Sequence, residues 1–276
     1  MALHSNDIRR CISMSIGFKN KVLMGVFVLL AQSREPIPAR WRRLITRYTP
    51  DFPLRLDLLN GNRLLINPSD WSQTVIFEEI FLRNSYDLDK LEFVPEVVLD
   101  CGAHIGMFSL LARSWFPTSR VIVFEPNTLN IKYLRRQIES NRLDIELIEA
   151  AVSTKVGEVS FDWSNSHSGR LNHRQLGDGG SKVKVINLPE MVRDLNASSL
   201  LLKMDVEGEE MEILPLLVPL LPQQTAIFFE VHSGESGWDT VTLLLEKYGF
   251  STERINTRGK FIDVYSYREK LQEQTR

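Results

Sequence analysis

Asp100-Cys101-Gly102-Ala103-His104-Ile105-Gly106 is the stretch on which the fold turns. It follows a short β-branched run at 97–100 and opens a segment, 105–115, in which Phe108, Leu111 and Ala112 recur at helical spacing. A strand that ends in a glycine-bearing turn and passes straight into a helix is the first half of a βαβ unit. Open α/β sheets take ligands at the carboxyl ends of their strands, where this turn falls. Glycine suits such a place, because no Cβ stands between the backbone and a bound group.

Downstream the rhythm repeats. Residues 120–125 (RVIVFE) read as the next strand, and Asn127 caps a helix with Ile131, Leu134 and Ile138 on its buried stripe. A third strand follows at 145–149. Then come a helix at 188–195, a strand at 200–206, a helix at 209–217 ended by Pro215 and Pro219, a strand at 226–232 and a helix at 238–248. Strands at 250–255 and 261–266 close the chain. Strands separated by helices predict crossovers and parallel pairing. The last link, 256–260, is too short to hold a crossover helix, so the final strand runs antiparallel to its neighbour. The expected fold is α/β and Rossmann-like: a mostly parallel seven-stranded sheet with an antiparallel C-terminal hairpin and helices on both faces.

One segment breaks the pattern. Residues 163–182 (WSNSHSGRLNHRQLGDGGSK) are polar and rich in Gly and Ser, between strand-like pieces at 158–162 and 183–186. A long loop in a compact domain is commonly a functional lid or a disordered insertion, so this one reads either as a flap on the acceptor side or as a solvated loop.

Upstream, 54–59 and 63–66 flank Asn60-Gly61 and predict a hairpin. Ser69 or Asp70 then caps a helix over 71–83. Residues 1–47 hold nine Lys or Arg against Asp7 and Glu35, about +7 in a chain whose net charge is -2. Within this region, 22–31 (VLMGVFVLLA) is an apolar run of ten residues, too short to span a bilayer as a helix. A helix buried on the main domain, a peripheral membrane contact through 16–43 and a cleaved signal all remain open. Residues 1–90 are read as an extension and 91–276 as the catalytic domain. The near-neutral total gives no basic footprint for nucleic acid. The two cysteines, Cys11 and Cys101, make no disulfide framework and fit a reducing, cytoplasmic setting.

Three local patterns carry chemistry. A dinucleotide loop needs three glycines as G-x-G-x-x-G, yet its first position here is Asp100. A carboxylate there would repel a pyrophosphate and suits a cofactor bearing an amino group and a sulfonium, which points to S-adenosylmethionine. Glu125 lies nineteen residues past Gly106 at the next strand end, where an acid accepts hydrogen bonds from ribose hydroxyls. Adenine then falls near 149–152. The third pattern is Leu201-Leu202-Lys203-Met204-Asp205-Val206-Glu207-Gly208-Glu209. Strand alternation would put Lys203, Asp205 and Glu207 on one face. A structural Lys–Asp pair, or a helix start dressed with Glu207, Glu209 and Glu210, explains the same residues.

Taken in order, Asp-x-Gly-Ala-x-Ile-Gly, Phe-Glu-Pro-Asn, Leu-Lys-x-Asp-Val-Glu-Gly-x-Glu and Glu-Val-His resemble the FkbM family of methyltransferases over roughly half of the chain, 97–232. His104 stands where that family commonly has Asn; both tolerate a left-handed backbone. The resemblance implies a class I methyltransferase fold and methylation of a hydroxyl on a small molecule, sugar, or glycan or lipid precursor. It implies that Asp100, Gly102, Gly106 and Glu125 line the cofactor pocket, with Cys101, Ala103, His104, Pro126 and Ala150 beside them. Lys203, Asp205, Glu207 and His232 would face the reacting oxygen, with Asp205 or His232 as its base. Asp205, Glu207 and Glu230 offer oxygen ligands, but no spacing demands a metal, and none is expected. A nicotinamide-dependent oxidoreductase and a non-catalytic cofactor-binding scaffold are the competing readings.

Overall fold

Short apolar strands, VVLDC at 97–101, RVIVF at 120–124 and SLLLKM at 199–204, set up the central sheet. A computed structural model describes residues 54–58, 61–67, 70–165, 168–172 and 181–268. The segment 16–43, and with it the question of a membrane contact, lies outside the described residues. Among those described, no helix is long and apolar enough to cross a membrane. They fall into two compact units that interleave along the chain: one holds 54–87, 104–114 and 129–143, the other 88–103, 115–128 and 144–268.

The larger unit contains the seven-stranded sheet. Its strands are β3 (Val97–Cys101), β4 (Arg120–Phe124), β5 (Ile145–Ile148), β10 (Ser199–Met204), β11 (Gln224–Val231), β12 (Ser251–Arg258) and β13 (Phe261–Arg268), in the order β12-β13-β11-β10-β3-β4-β5. Every pairing from β11 to β5 is parallel, whereas β13 runs antiparallel to both of its neighbours. This is the expected mostly parallel sheet with an antiparallel C-terminal hairpin. All five residues of β3 and all six of β10 are buried, as befits central parallel strands covered on both sides.

Helices α4 (Leu188–Leu195), α5 (Glu210–Leu217) and α6 (Gly234–Lys247) feed one core. In it Leu188, Val192, Ile213, Leu214, Leu217, Val241 and Leu245 meet Leu99, Leu202, Phe229 and Val264 of the sheet. Asn187 caps α4 by accepting the Glu190 amide at 3.1 Å. Pro215 does not end its helix as expected. Helix α5 runs through it to Leu217 and passes into a 3-10 turn at Val218–Leu220. Burial of Ile213, Leu214 and Leu217 offsets the hydrogen bond that proline cannot make.

A second sheet was not foreseen. β6 (Ala151–Ser153), β7 (Gly157–Asn165), β8 (Ser168–Asn172) and β9 (Ser181–Asn187) align as β6-β9-β7-β8. The expected loop is thus strand wherever it is described, since β7 and β8 pair antiparallel through it. Residues 166–167 and 173–180 lie outside the description. Backbone pairing needs no apolar alternation, so a polar hairpin leaves little trace in sequence.

The smaller unit contains the expected hairpin, β1 (Leu54–Asp57) with β2 (Arg63–Ile66). It also contains α1 (Trp71–Phe77), which runs into a π-helical turn at Glu78–Leu82, and most of α2 (Met107–Trp115) and α3 (Thr128–Asn141). Asp70 caps α1 by accepting the Ser72 amide at 3.0 Å. On α3, Ile131 and Leu134 are buried as expected, but Gln137 is fully buried and Ile138 only half. The reason is backbone chemistry. In a two-stranded sheet each strand has an open edge, and Gln137 closes that of β2: its Oε1 accepts the Leu65 amide and its Nε2 donates to the Leu65 carbonyl, both at 3.0 Å. Replacing Gln137 with Leu should therefore cost about 2 kcal/mol by stranding two buried backbone groups. Urea unfolding measures it, and a loss below about 0.5 kcal/mol would remove that role from Gln137.

Candidate active site

The carboxyl ends of β3, β10 and β11 bring together two charged clusters within the larger unit. The first is built on Lys203. In the parallel register Lys203 sits opposite Asp100, so the two side chains emerge from neighbouring strands at one level. Lys203 Nζ lies 3.6 Å from Asp100 Oδ1 and 4.0 Å from Asp205 Oδ2, and it also donates to the Gly102 carbonyl. Asp100 is 0% exposed and Lys203 6%. Burial works against the ammonium, yet Asp100 and then Asp205 outweigh it and hold its pKa above the ordinary lysine range. The ammonium thus ties β10 to the turn after β3.

That turn is closed against substitution. Gly102 has φ +79°, and a Cβ there would fall 2.0 Å from the Asp205 carbonyl oxygen. Its amide and that of Ala103 both donate to the Phe124 carbonyl at 3.0 Å, so the turn is also pinned to β4. The Cys101 side chain points into the hydrophobic core, and burial pushes its thiol pKa up, so only its backbone reaches the turn. Ala103 and Ala150 are buried and Pro126 is half-buried.

Glu125 follows β4 and is only 4% exposed. Its Oε1 accepts the Asn127 amide at 2.8 Å, which fixes the carboxylate at the strand end. His104 and Gly106 belong to the smaller unit. His104 adopts φ +54° and its Nε2 lies 3.1 Å from Ser72 Oγ, which itself donates to Asp70 Oδ1 at 2.6 Å. At Gly106, φ is +82°, a backbone that favours glycine, and a Cβ would also displace Leu134 Cδ1, which lies 2.3 Å from its position.

The second cluster surrounds His232, whose side chain is 4% exposed. Its Nε2 is 3.1 Å from Glu230 and 3.5 Å from Glu207, and its Nδ1 is 3.3 Å from Glu210. Glu210, fully buried at the start of α5, also accepts the amides of His232 at 2.8 Å and Gly208 at 2.9 Å. Burial opposes charge on the ring, but contacts with Glu207, Glu210 and Glu230 overcome it and push the pKa of His232 up to about 12. Burial, with Asp205 and Asp263 nearby, raises Glu230 to about 7 despite the imidazole contact. Across the β11–β13 ladder Glu230 faces Asp263, a like-charge pair. Arg258 bridges them, its Nη2 at 2.7 Å from Glu230 and 3.0 Å from Asp263.

Two sequence expectations change here. Strand alternation does not carry Lys203, Asp205 and Glu207 along one face, because β10 ends at Met204 and Glu207 takes a left-handed φ of +54°. The left-handed turn swings Glu207 toward His232 instead. The second concerns His232, where contacts with three carboxylates favour the protonated ring and so disfavour it as the proton acceptor. Glu210, Arg258 and Asp263 were not expected at the site. The Glu-Val-His spacing does put Glu230 and His232 on one face, but nothing local signals Glu210.

Lys203→Met should destabilise the protein by about 3 kcal/mol, as for one partner removed from a buried ion pair. Adding Asp100→Asn should restore a good part of that loss, a coupling that a double-mutant cycle in denaturant reads directly. Purely additive losses would show that the pair does not act as a unit.

Comparison with known proteins places this site. The family profile described as the methyltransferase FkbM domain matches residues 100–252, over half of the chain. AMB antimetabolite synthetase AmbE of Pseudomonas aeruginosa is 28% identical over 250 residues, a match covering 71% of this chain and 11% of that protein. Hexuronic acid methyltransferase AglP of Haloferax volcanii is 26% identical over 170 residues, covering 60% and 69%. The 31-O-demethyl-FK506 methyltransferase FkbM of Streptomyces tacrolimicus is 26% identical over 210 residues, covering 64% and 81%. The chain therefore spans a small part of the synthetase and most of the two methyltransferases. With its glycine turn after β3, Glu125 after β4 and the Lys203–Asp205–Glu207 run after β10 all inside the matched residues, the chain belongs to the FkbM methyltransferase family.

Proposed function

We propose that this chain transfers a methyl group from S-adenosylmethionine to a hydroxyl oxygen of a small molecule or saccharide. The observation that carries the reading is Glu125: a carboxylate almost wholly buried at the carboxyl end of β4, next to a glycine turn that is fixed to the same strand. One oxygen is oriented by the Asn127 amide, and a carboxylate so placed at a strand end is suited to accept from the hydroxyls of a ribose. A nucleoside fits this donor set, whereas Asp100 at the turn opposes a pyrophosphate. The relatives named as methyltransferases act, by those names, on a hexuronic acid and on a demethylated FK506, which supports an oxygen acceptor.

S-adenosylmethionine supplies a methyl group already activated on a sulfonium. What the chain must add is alignment of the acceptor and removal of its proton. Lys203 anchors the turn that seats the donor, a positioning task, since its ammonium is spent on Asp100 and the Gly102 carbonyl. Asp205, 41% exposed by its side chain and one residue past the end of β10, is the group placed to take the acceptor proton. His232 holds Glu207 and Glu230 in place.

Calorimetric titration should show micromolar binding of S-adenosylhomocysteine and none of NADH. Glu125→Ala should weaken that binding at least tenfold, about 1.4 kcal/mol. Asp205→Asn should leave it within about threefold while lowering transfer by about a hundredfold or more. Unaltered affinity in the first variant, or near-normal turnover in the second, would overturn the respective assignment.

A further inference from the structure

Asp205, Glu207 and His232 each direct a ligand-type atom to one small volume, and these atoms all lie within 4.8 Å of one another. We propose that they form a binding site for a divalent first-row transition cation, of which Mn²⁺ is the test case. The inference extends the methyl-transfer reading, because Asp205 belongs to both.

Three features favour a cation. First, the donor set is one imidazole and two carboxylates. Hard Ca²⁺ and Mg²⁺ are held mainly by oxygens, while an imidazole nitrogen suits Fe²⁺ or Zn²⁺ and the two carboxylates suit Mn²⁺. Second, the histidine has the neighbour that metal-ligating histidines have, a buried carboxylate within ion-pair distance of Nδ1 though outside hydrogen-bond geometry. Such residues give their second ring nitrogen to a carboxylate, which fixes the ring and leaves the first nitrogen for the metal. Here Glu210, whose side chain is 0% exposed, stands 3.3 Å from Nδ1 and is locked by the amides of His232 and Gly208. The opposite nitrogen, Nε2, points among the carboxylates. Third, negative charge is in excess. Asp205, Glu207, Glu210 and Glu230 converge on one imidazole, and Arg258 serves Glu230 and Asp263 on the far side.

Bond lengths near 2.1 Å put ligand atoms about 3.0–3.4 Å apart, so the three groups would close in from separations of up to 4.8 Å by about 1 Å or more. Asp205 has the freedom to do so, being the most exposed of the three. The imidazolium would release its Nε2 proton to solvent on binding, and Glu207 and Glu230 would give up their hold on that nitrogen. Three protein ligands leave coordination positions open at the strand ends. A cation there selects acceptors that present two neighbouring oxygens, such as a vicinal diol or an α-hydroxy acid. It would also ease loss of the proton from the bound hydroxyl.

The test is a titration of the full chain, freed of metal with EDTA and desalted, with Mn²⁺ alone. Free Mn²⁺ is followed by electron paramagnetic resonance. The expected result is one saturable site per chain with a micromolar dissociation constant and spin-echo modulation from one histidine nitrogen. Glu207→Gln and His232→Gln should abolish the site, and Glu210→Gln should weaken it about ten- to a hundredfold. Unsaturable uptake, bound Mn²⁺ without nitrogen modulation, or a site that survives Glu207→Gln would overturn the proposal. The first two readouts need no variant, so a misfolded mutant leaves them decisive. S-adenosylhomocysteine binding measured in EDTA is a separate readout: its presence without a Mn²⁺ site defeats the cation alone, and its absence defeats the methyl-transfer reading.

Discussion

One buried ammonium holds the centre of this protein in register. Lys203 lies opposite Asp100 across β10 and β3, and donates to the carbonyl of the very residue at which β3 turns away. The Asp205 carbonyl, two residues on, occupies the space that a side chain at position 102 would need. Charge and steric exclusion thus act on the same few atoms. Neither strand end can shift without leaving a buried charge without its counter-ion or pressing a carbonyl into the turn. Everything at the mouth of the sheet depends on this joint: Glu125 on one side, through the Phe124 carbonyl, and the His232 cluster on the other, through the turn that follows Asp205.

The two clusters solve the problem of buried charge differently. Around Lys203 one ammonium is held between Asp100 and Asp205, and the result is a rigid joint. Around His232 three carboxylates crowd one imidazole, so burial lifts Glu230 to about 7 and the protonated ring is favoured. An imbalance of this kind costs stability, and proteins tolerate such cost mainly where charge is needed for binding or catalysis. The joint positions the site; the acidic cluster is the part with chemistry in reserve.

Much of this was legible beforehand, for identifiable reasons. The sheet was readable because parallel strands must be apolar throughout and must alternate with helices, so β3, β4, β10 and β11 stand out one by one. The antiparallel end followed from a link too short for a crossover. Other features escaped because they depend on register or on a single dihedral angle. Position 207 looks like a strand residue until its φ turns positive and sends the carboxylate to His232. Gln137 looks like a solvated helix residue until it closes the open edge of β2. The β7–β8 pair is polar, and its order rests on backbone bonds that leave no side-chain pattern. Glycine positions were read correctly as special, yet at Gly102 and Gly106 the crowding atoms belong to the protein itself.

The central claim is that the ends of β3 and β4 seat a nucleoside through Glu125. A crystal structure of the chain with S-adenosylhomocysteine tests it most directly. The account predicts both ribose hydroxyls within hydrogen-bond distance of the Glu125 carboxylate, with the amino-acid end of the ligand beside the Gly102 turn. A ligand seated elsewhere, with no ribose hydroxyl on the Glu125 carboxylate, would contradict it.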